Sequence, residues 1–217
     1  MKKYSKVRLI TAMLLVTMSF TATSCGRQKQ QDEYKRQGIE QMDTKEYSKA
    51  LKSFNKALSL SSTVGRNEKD IALYKASAQH KLGKNGDAIN TINGLIAFDK
   101  SDYRLYFLRG CIYSDIGKST KALADLKKGC ALSNKSSLYV SAYETLISQG
   151  MDKTAEDFYQ EMPKEARAQK KVMRLRVIGY EKKGDFASAL HFAKSYLIQY
   201  PDDTDMKKEE AFLKLQS

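Results

Sequence analysis

The chain has 217 residues, 29% charged and 41% hydrophobic, which excludes both a disordered charged tail and a multi-span membrane protein. Two prolines and 12 glycines are too few for a collagenous or turn-rich all-β chain, and 2 histidines with 3 cysteines leave little material for metal or acid–base chemistry. The formal net charge of +13 is strongly basic, and part of it sits at the extreme N-terminus.

Residues 1–24 have the three parts of an export signal. Lys2, Lys3, Lys6 and Arg8 form a basic start without an acidic residue, and Leu9 to Phe20 is an apolar run too short to span a bilayer as a permanent helix. Small residues then lead into a cysteine, Thr21-Ala22-Thr23-Ser24-Cys25-Gly26. This segment resembles the bacterial lipoprotein signal, although Ala22 stands where that family usually has Leu. The resemblance implies cleavage before Cys25, acylation of Cys25, and residues 25–30 as a membrane-bound tether in the cell envelope. Gly26 is not the aspartate that retains lipoproteins at the inner membrane in some bacteria, so the resemblance leans towards the outer membrane. A plain secretory signal followed by an incidental cysteine is the other reading of the same residues.

Beyond the leader an alanine recurs inside amphipathic stretches at Ala50, Ala88, Ala122, Ala155 and Ala189. Five residues before it stands Gly83, Gly117, Gly150 or Gly184, with Lys45 in the first copy. Apolar residues at helical spacing flank each of these turn signals. The third copy is the clearest, with Tyr106, Gly110, Tyr113 and Gly117 followed by Ala122, Leu123 and Leu126. A period near 34 residues with two helices per unit resembles the tetratricopeptide repeat. The resemblance implies an all-α fold: a right-handed α-solenoid of about five helix-turn-helix units and about eleven helices. The units fall near 31–64, 69–102, 103–135, 136–169 and 170–203, with 204–217 as a capping helix. Small residues at Gly38, Ala76 and Gly110 are expected to admit large partners such as Phe54 and Leu126. Ser61 to Lys69 reads as a surface loop, and Pro163 shortens the second helix of the fourth unit.

Catalytic constellations do not emerge. Gly117-Lys118-Ser119 looks like the end of a phosphate-binding loop, but the glycine required five positions earlier is Ile112 and the preceding residues read as helix. His80 and Cys111 could begin a metal site, yet no third or fourth ligand follows at recognisable spacing. Cys130 is expected on the packing side of its helix and Cys111 on the opposite, inner side, which disfavours a disulfide between them. The expectation is a non-enzyme with no cofactor and no metal.

What remains is surface. In the repeat family the first helices line the inner face, which implies two rows here: Lys35, Leu73, Phe107, Val140 and Arg174, and beside it Ile39, Ser77, Cys111, Glu144 and Ile178. The rows have an apolar middle and basic ends, suited to a peptide with an apolar centre and acidic flanks. Alternatively, neighbouring side chains cover the apolar residues and they bind nothing. Lys164 to Lys183 is the other distinctive stretch, with Lys164, Arg167, Lys170, Lys171 and Arg174 prominent among its basic residues. It reads as a contact for anionic lipid or an acidic partner, or as a solvated helix face. Export would place the chain away from nucleic acid. Two function classes survive: a membrane-anchored scaffold that binds a protein partner, and an envelope lipoprotein that binds carbohydrate or another small ligand. The absence of Trp weakens the second.

Overall fold

The computed structural model describes residues 26–217, so the export signal and Cys25 lie outside the described residues. The described chain is helical throughout and divides into two compact units, residues up to 98 and residues 99–217. No helix among the described residues is long and apolar enough to cross a membrane.

The first unit holds two antiparallel pairs. Helix α1 (26–43) packs with α2 (Tyr47–Ser59), and α3 (Arg66–Lys81) packs with α4 (Asn85–Phe98). Phe54, Ala50, Ala57, Ile71 and Ala78 form the core between them. Helix α3 begins three residues before the expected start of the second repeat. Gly65 is extended there and the Glu68 carboxylate accepts from its N–H at 2.8 Å, satisfying a donor at the new helix start.

The second unit holds three pairs and a last helix: α5 (Tyr103–Asp115) with α6 (Ser119–Ser133), α7 (Ser136–Ser148) with α8 (Asp152–Glu161), and α10 (Lys170–Lys182) with α11 (Phe186–Gln199), then α12 (Thr204–Gln216). Between the second and third pairs stands the single turn α9 (Lys164–Arg167). It brings the described helices to twelve, against about eleven expected. Pro163 ends α8 as foreseen, but its carbonyl also accepts from the N–H groups of Ala166 and Arg167 at 3.0 Å, which starts the extra turn.

All five pairs turn in the same way. Lys45, Gly83, Gly117, Gly150 and Gly184 each have φ between +61° and +74°. The next residue donates its N–H to the carbonyl five positions back: Glu46 to Gln41, Lys84 to Gln79, Lys118 to Tyr113, Met151 to Leu146 and Asp185 to Tyr180, at 2.7–3.0 Å. That paired closure is the Schellman motif, which satisfies helix-end carbonyls and demands a left-handed residue. Five residues on, Ala50, Ala88, Ala122, Ala155 and Ala189 are all buried, because only a methyl fits where the second helix meets the first.

Helix α12 adopts the register of a first helix. Its buried Met206 and Leu213 stand 34 residues after the buried Val172 and Gly179 of α10. Asp203 fastens it. One carboxylate oxygen accepts from Tyr196 Oη at 2.5 Å, Lys170 Nζ at 3.0 Å and Arg174 Nη1 at 3.4 Å, and the other caps the helix by accepting from Met206 N–H at 3.1 Å.

Candidate partner-binding surfaces

In the first unit, the expected inward residues Lys35 and Ile39 lie on α1, and Leu73 and Ser77 on α3. Lys35 is committed to the neighbouring helix: its Nζ donates to Asn67 Oδ1 at 2.8 Å and lies 4.0 Å from Asp70 Oδ2. The buried Gln31 strengthens the same junction. Its Nε2 donates to Glu68 Oε1 at 3.0 Å and to the Ala57 carbonyl at 3.2 Å, and its Oε1 accepts from Asn67 Nδ2 at 3.0 Å. Ile39 packs against the Phe54 core, and Leu73 and Ser77 are half-buried. His80 Nδ1 sits 2.8 Å from Asn85 Oδ1, in the turn that joins α3 to α4.

In the second unit the inward row is less apolar than its sequence. Val140, at 6% exposure, belongs to the core, and Phe107 and Cys111 pack against that core half-buried. Glu144 accepts from Lys171 Nζ at 2.6 Å, tying α7 to α10. Arg174 is held by Asp203, and Ile178 is exposed. Cys130 is buried on the packing side, and burial pushes its thiol up to about 12, so it is an inert core residue. Cys111 and Cys130 are not joined in a disulfide.

The basic stretch is largely engaged within the fold. Lys170 and Arg174 share Asp203, Lys171 pairs with Glu144, and Arg167 lies 5.8 Å from the centre of the Tyr159 ring. Arg176 is sandwiched between Tyr159 and Phe192, 3.9 and 4.1 Å from the ring centres, and donates to Glu156 at 3.1 Å. Lys164 is exposed and has no ion pair among the described residues. A separate cleft of about 220 Å³ lies between α6, α7 and α8, lined by Lys127, Ala131, Tyr139, Phe158 and Glu161, with a Lys127–Glu161 ion pair.

The third helix pair also carries the most recognisable sequence. The family model for the tetratricopeptide repeat matches residues 103–136, which spans α5 and α6 with their turn. The chain carries a tetratricopeptide repeat at these residues. Solved structures of tetratricopeptide repeat proteins share the fold. A tetratricopeptide repeat protein from Parabacteroides merdae superposes with a TM-score of 0.62 at 13% identity, covering 87% of this chain and 73% of that one. A thermophilic TPR protein of Thermus thermophilus gives 0.55 at 20% identity, covering 85% and 99%. YrrB, described as a TPR protein with an unusual peptide-binding site, gives 0.52 at 15% identity, covering 82% and 90%. No curated protein matches the chain. Tetratricopeptide repeat proteins are in general scaffolds that bind protein or peptide partners on the surfaces their stacked repeats create.

Sequence reasoning ended its inward rows at α10. It foresaw α12 as a capping helix but did not carry the rows on to it, although the 34-residue step from Ile178 to Phe212 was available. The ion pairs of Lys171, Lys170 and Arg174 had no local signal, since their partners lie 27, 33 and 29 residues away.

Proposed function

We propose that this tetratricopeptide repeat protein is a non-catalytic scaffold of the bacterial envelope, anchored through an acylated Cys25, that holds a protein or peptide partner on its first-helix surfaces. One observation carries the binding reading. Cys111 is half-buried and Ile178 exposed at matching register positions of first helices, with the half-buried Phe107 one turn before Cys111, so side chains of different chemistry are offered to a partner at a fixed pitch. The likeness to a protein described as peptide-binding supports it. The anchor rests on the basic start, the short apolar run and the small residues before Cys25. An acyl anchor would keep the chain at a surface without any spanning helix.

Site-specific photo-crosslinking in intact cells tests the surface. A photoreactive residue at Phe107 is expected to trap a defined partner, and the same residue at Lys128, exposed on the second helix α6, is not. Equal adducts from both positions, or none from either, would overturn the reading. The anchor is tested separately by Cys25→Ser, which should move the protein from the membrane to the soluble fraction and abolish fatty-acid labelling. An unchanged distribution would remove the lipoprotein assignment and leave the scaffold.

A further inference from the structure

We infer that one edge of the first unit lies on an anionic phospholipid bilayer, with Val64 and Phe98 dipping into its interface. That edge is built from the start of α1, the end of α2, the start of α3 and the end of α4. The inference rests on the reading above that Cys25 is acylated.

Such an anchor leaves little slack. Helix α1 starts at Gly26, the residue after Cys25, so residues 26–30, expected as a tether, belong to a helix that packs into the fold. The buried Gln31 stands six residues from Cys25, which is about 9 Å of helix. Whatever lies beside the start of α1 is therefore held close to the surface in which the acyl chains sit.

Hydrogen bonds define that edge. Gln31 Nε2 donates to Glu68 Oε1 at the start of α3 and to the Ala57 carbonyl near the end of α2, and Asn67 Nδ2 donates to Asp32 Oδ1 at 3.1 Å. Lys69 Nζ, on the first turn of α3, lies 5.8 Å from the centre of the Phe98 ring, which places the end of α4 there too. The turns through Lys45 and Gly83 lie at the opposite end of both pairs, and α1 alone is about 27 Å long.

Among the described residues of the first unit, the exposed large apolar ones are Val64, Tyr74, Leu82 and Phe98. Tyr74 stacks on Phe54, and Leu82 belongs to the far turn. The two most exposed, Val64 at 55% and Phe98 at 61%, are both at the Cys25 edge. Exposure alone would not single them out, since Ile198 and Leu215 of the second unit are more exposed; their place beside the acyl site does.

Charge selects the lipid. Glu33 accepts from Arg36 at 2.8 Å, and Asp70 lies 4.0 Å from Lys35, so those four charges answer one another. The other charges on the edge are Arg27, Lys29, Lys56, Arg66 and Lys69 against Asp32 and Glu68. Arg27, Lys29, Lys56 and Arg66 are exposed, whereas Glu68 is half-buried and accepts from the Gly65 N–H. Asp99 and Lys100, next in the chain, cancel. Apolar side chains ringed by Lys and Arg, whose stems can lie along the headgroups, suit an anionic interface.

The chain contains no tryptophan, so Phe98→Trp gives a single reporter that keeps a ring beside Lys69. The probe is the acylated full chain carrying it, in vesicles of equal parts phosphatidylethanolamine and phosphatidylglycerol. Its emission should be blue-shifted and quenched by lipids brominated on their acyl chains, whereas Leu82→Trp should emit as in water and escape quenching. Adding Lys29→Glu/Arg66→Glu to the Phe98→Trp chain should reduce its quenching by about twofold or more at unchanged helical content. An absence of quenching in Phe98→Trp overturns the inference, as does equal quenching of Phe98→Trp and Leu82→Trp. Blue-shifted emission without quenching also overturns it, because a second copy of the chain then covers the face. Undiminished quenching in the Lys29→Glu/Arg66→Glu chain overturns the choice of an anionic lipid. Mass spectrometry of the same preparation keeps the anchor separate. With Cys25 acylated and Phe98→Trp unquenched, the lipoprotein reading stands and the membrane-lying edge falls. Without acyl chains on Cys25, both fall.

Discussion

The ring of Phe54 lies against Gly38 so closely that a Cβ on Gly38 would sit 2.4 Å from its Cε1 atom. Leu126 stands in the same relation to Gly110, with Cγ at 2.9 Å and its backbone N at 3.1 Å. In both units, a glycine on the first helix is the socket for the large residue on the second. Phe54 and Leu126 are fully buried and have nowhere to retreat. Gly38→Ala and Gly110→Ala should each destabilise by about 1–3 kcal/mol, as overpacked cores do. Chemical denaturation measures this. Gly38→Ala combined with Phe54→Leu should recover part of the loss, because the shorter side chain vacates the space the methyl needs.

Lys45 occupies the left-handed position that glycine fills in the other four turns, at φ +61°. Its Cβ strain costs about 1 kcal/mol. Lys45→Gly should therefore stabilise the fold by up to about 0.5 kcal/mol after the added flexibility of the unfolded chain is counted, which a raised thermal midpoint would report. Gly117→Ala should lower it by a similar amount. A loss of stability in Lys45→Gly would mean that the lysine makes a contact outweighing its backbone strain.

Arg109 and Asp125 join α5 to α6 through two hydrogen bonds, Nε at 2.6 Å and Nη2 at 2.8 Å, and both side chains are largely buried. The Tyr106 and Tyr113 rings flank the guanidinium at 5.8 and 6.0 Å. Asp125→Ala strands a cation among them and should cost about 3 kcal/mol. Arg109→Met/Asp125→Leu should cost much less, since a pair of apolar groups needs no counter-charge. Denaturation of the single and double variants separates the two effects.

Asp203 should govern acid stability of the C-terminal end. The hydroxyl of Tyr196, the Met206 N–H and Lys170 all stabilise its carboxylate and hold its pKa well below the ordinary range. Because the folded value is depressed, the stabilisation is present above the unfolded pKa of about 3.9 and is lost as the pH falls below that towards the folded value. Asp203→Asn keeps a helix cap and removes the charge. Its melting temperature should lie below wild type at pH 7, and the gap should close below about pH 4. A gap independent of pH would show that shape and not charge matters there. Glu209 has the opposite sign, its pKa being raised by burial and by Glu181, so Glu209→Gln should stabilise at neutral pH and have little effect in acid.

Much of the architecture was legible locally. The left-handed turns, the buried alanines and the Gly38 and Gly110 sockets each depend on residue types within one helix pair, so a repeat of about 34 residues announces them. The start of α3 and the single turn α9 were not legible, because each depends on one hydrogen-bonding choice at a helix end. The candidate surface was half legible. Periodicity put Phe107, Val140 and Ile178 on one side of their helices, but it cannot distinguish a residue facing a groove from one that the next helix covers.

The number of helix pairs, the sense of each turn and the positions that must be small can be read from the residues alone, since these follow from backbone sterics and 3.6-residue periodicity acting over a few residues. Which of the expected surface residues remain available depends on the packing of the folded chain. Packing of neighbouring repeats took Val140 into the core, joined Lys171 to Glu144 and drew Lys170 and Arg174 onto Asp203, while leaving Ile178, Phe212 and Leu215 in water. Those outcomes turn on contacts between residues about 30 positions apart, where a side chain's solvation is set by its neighbour in the stack and not by its neighbours in the chain.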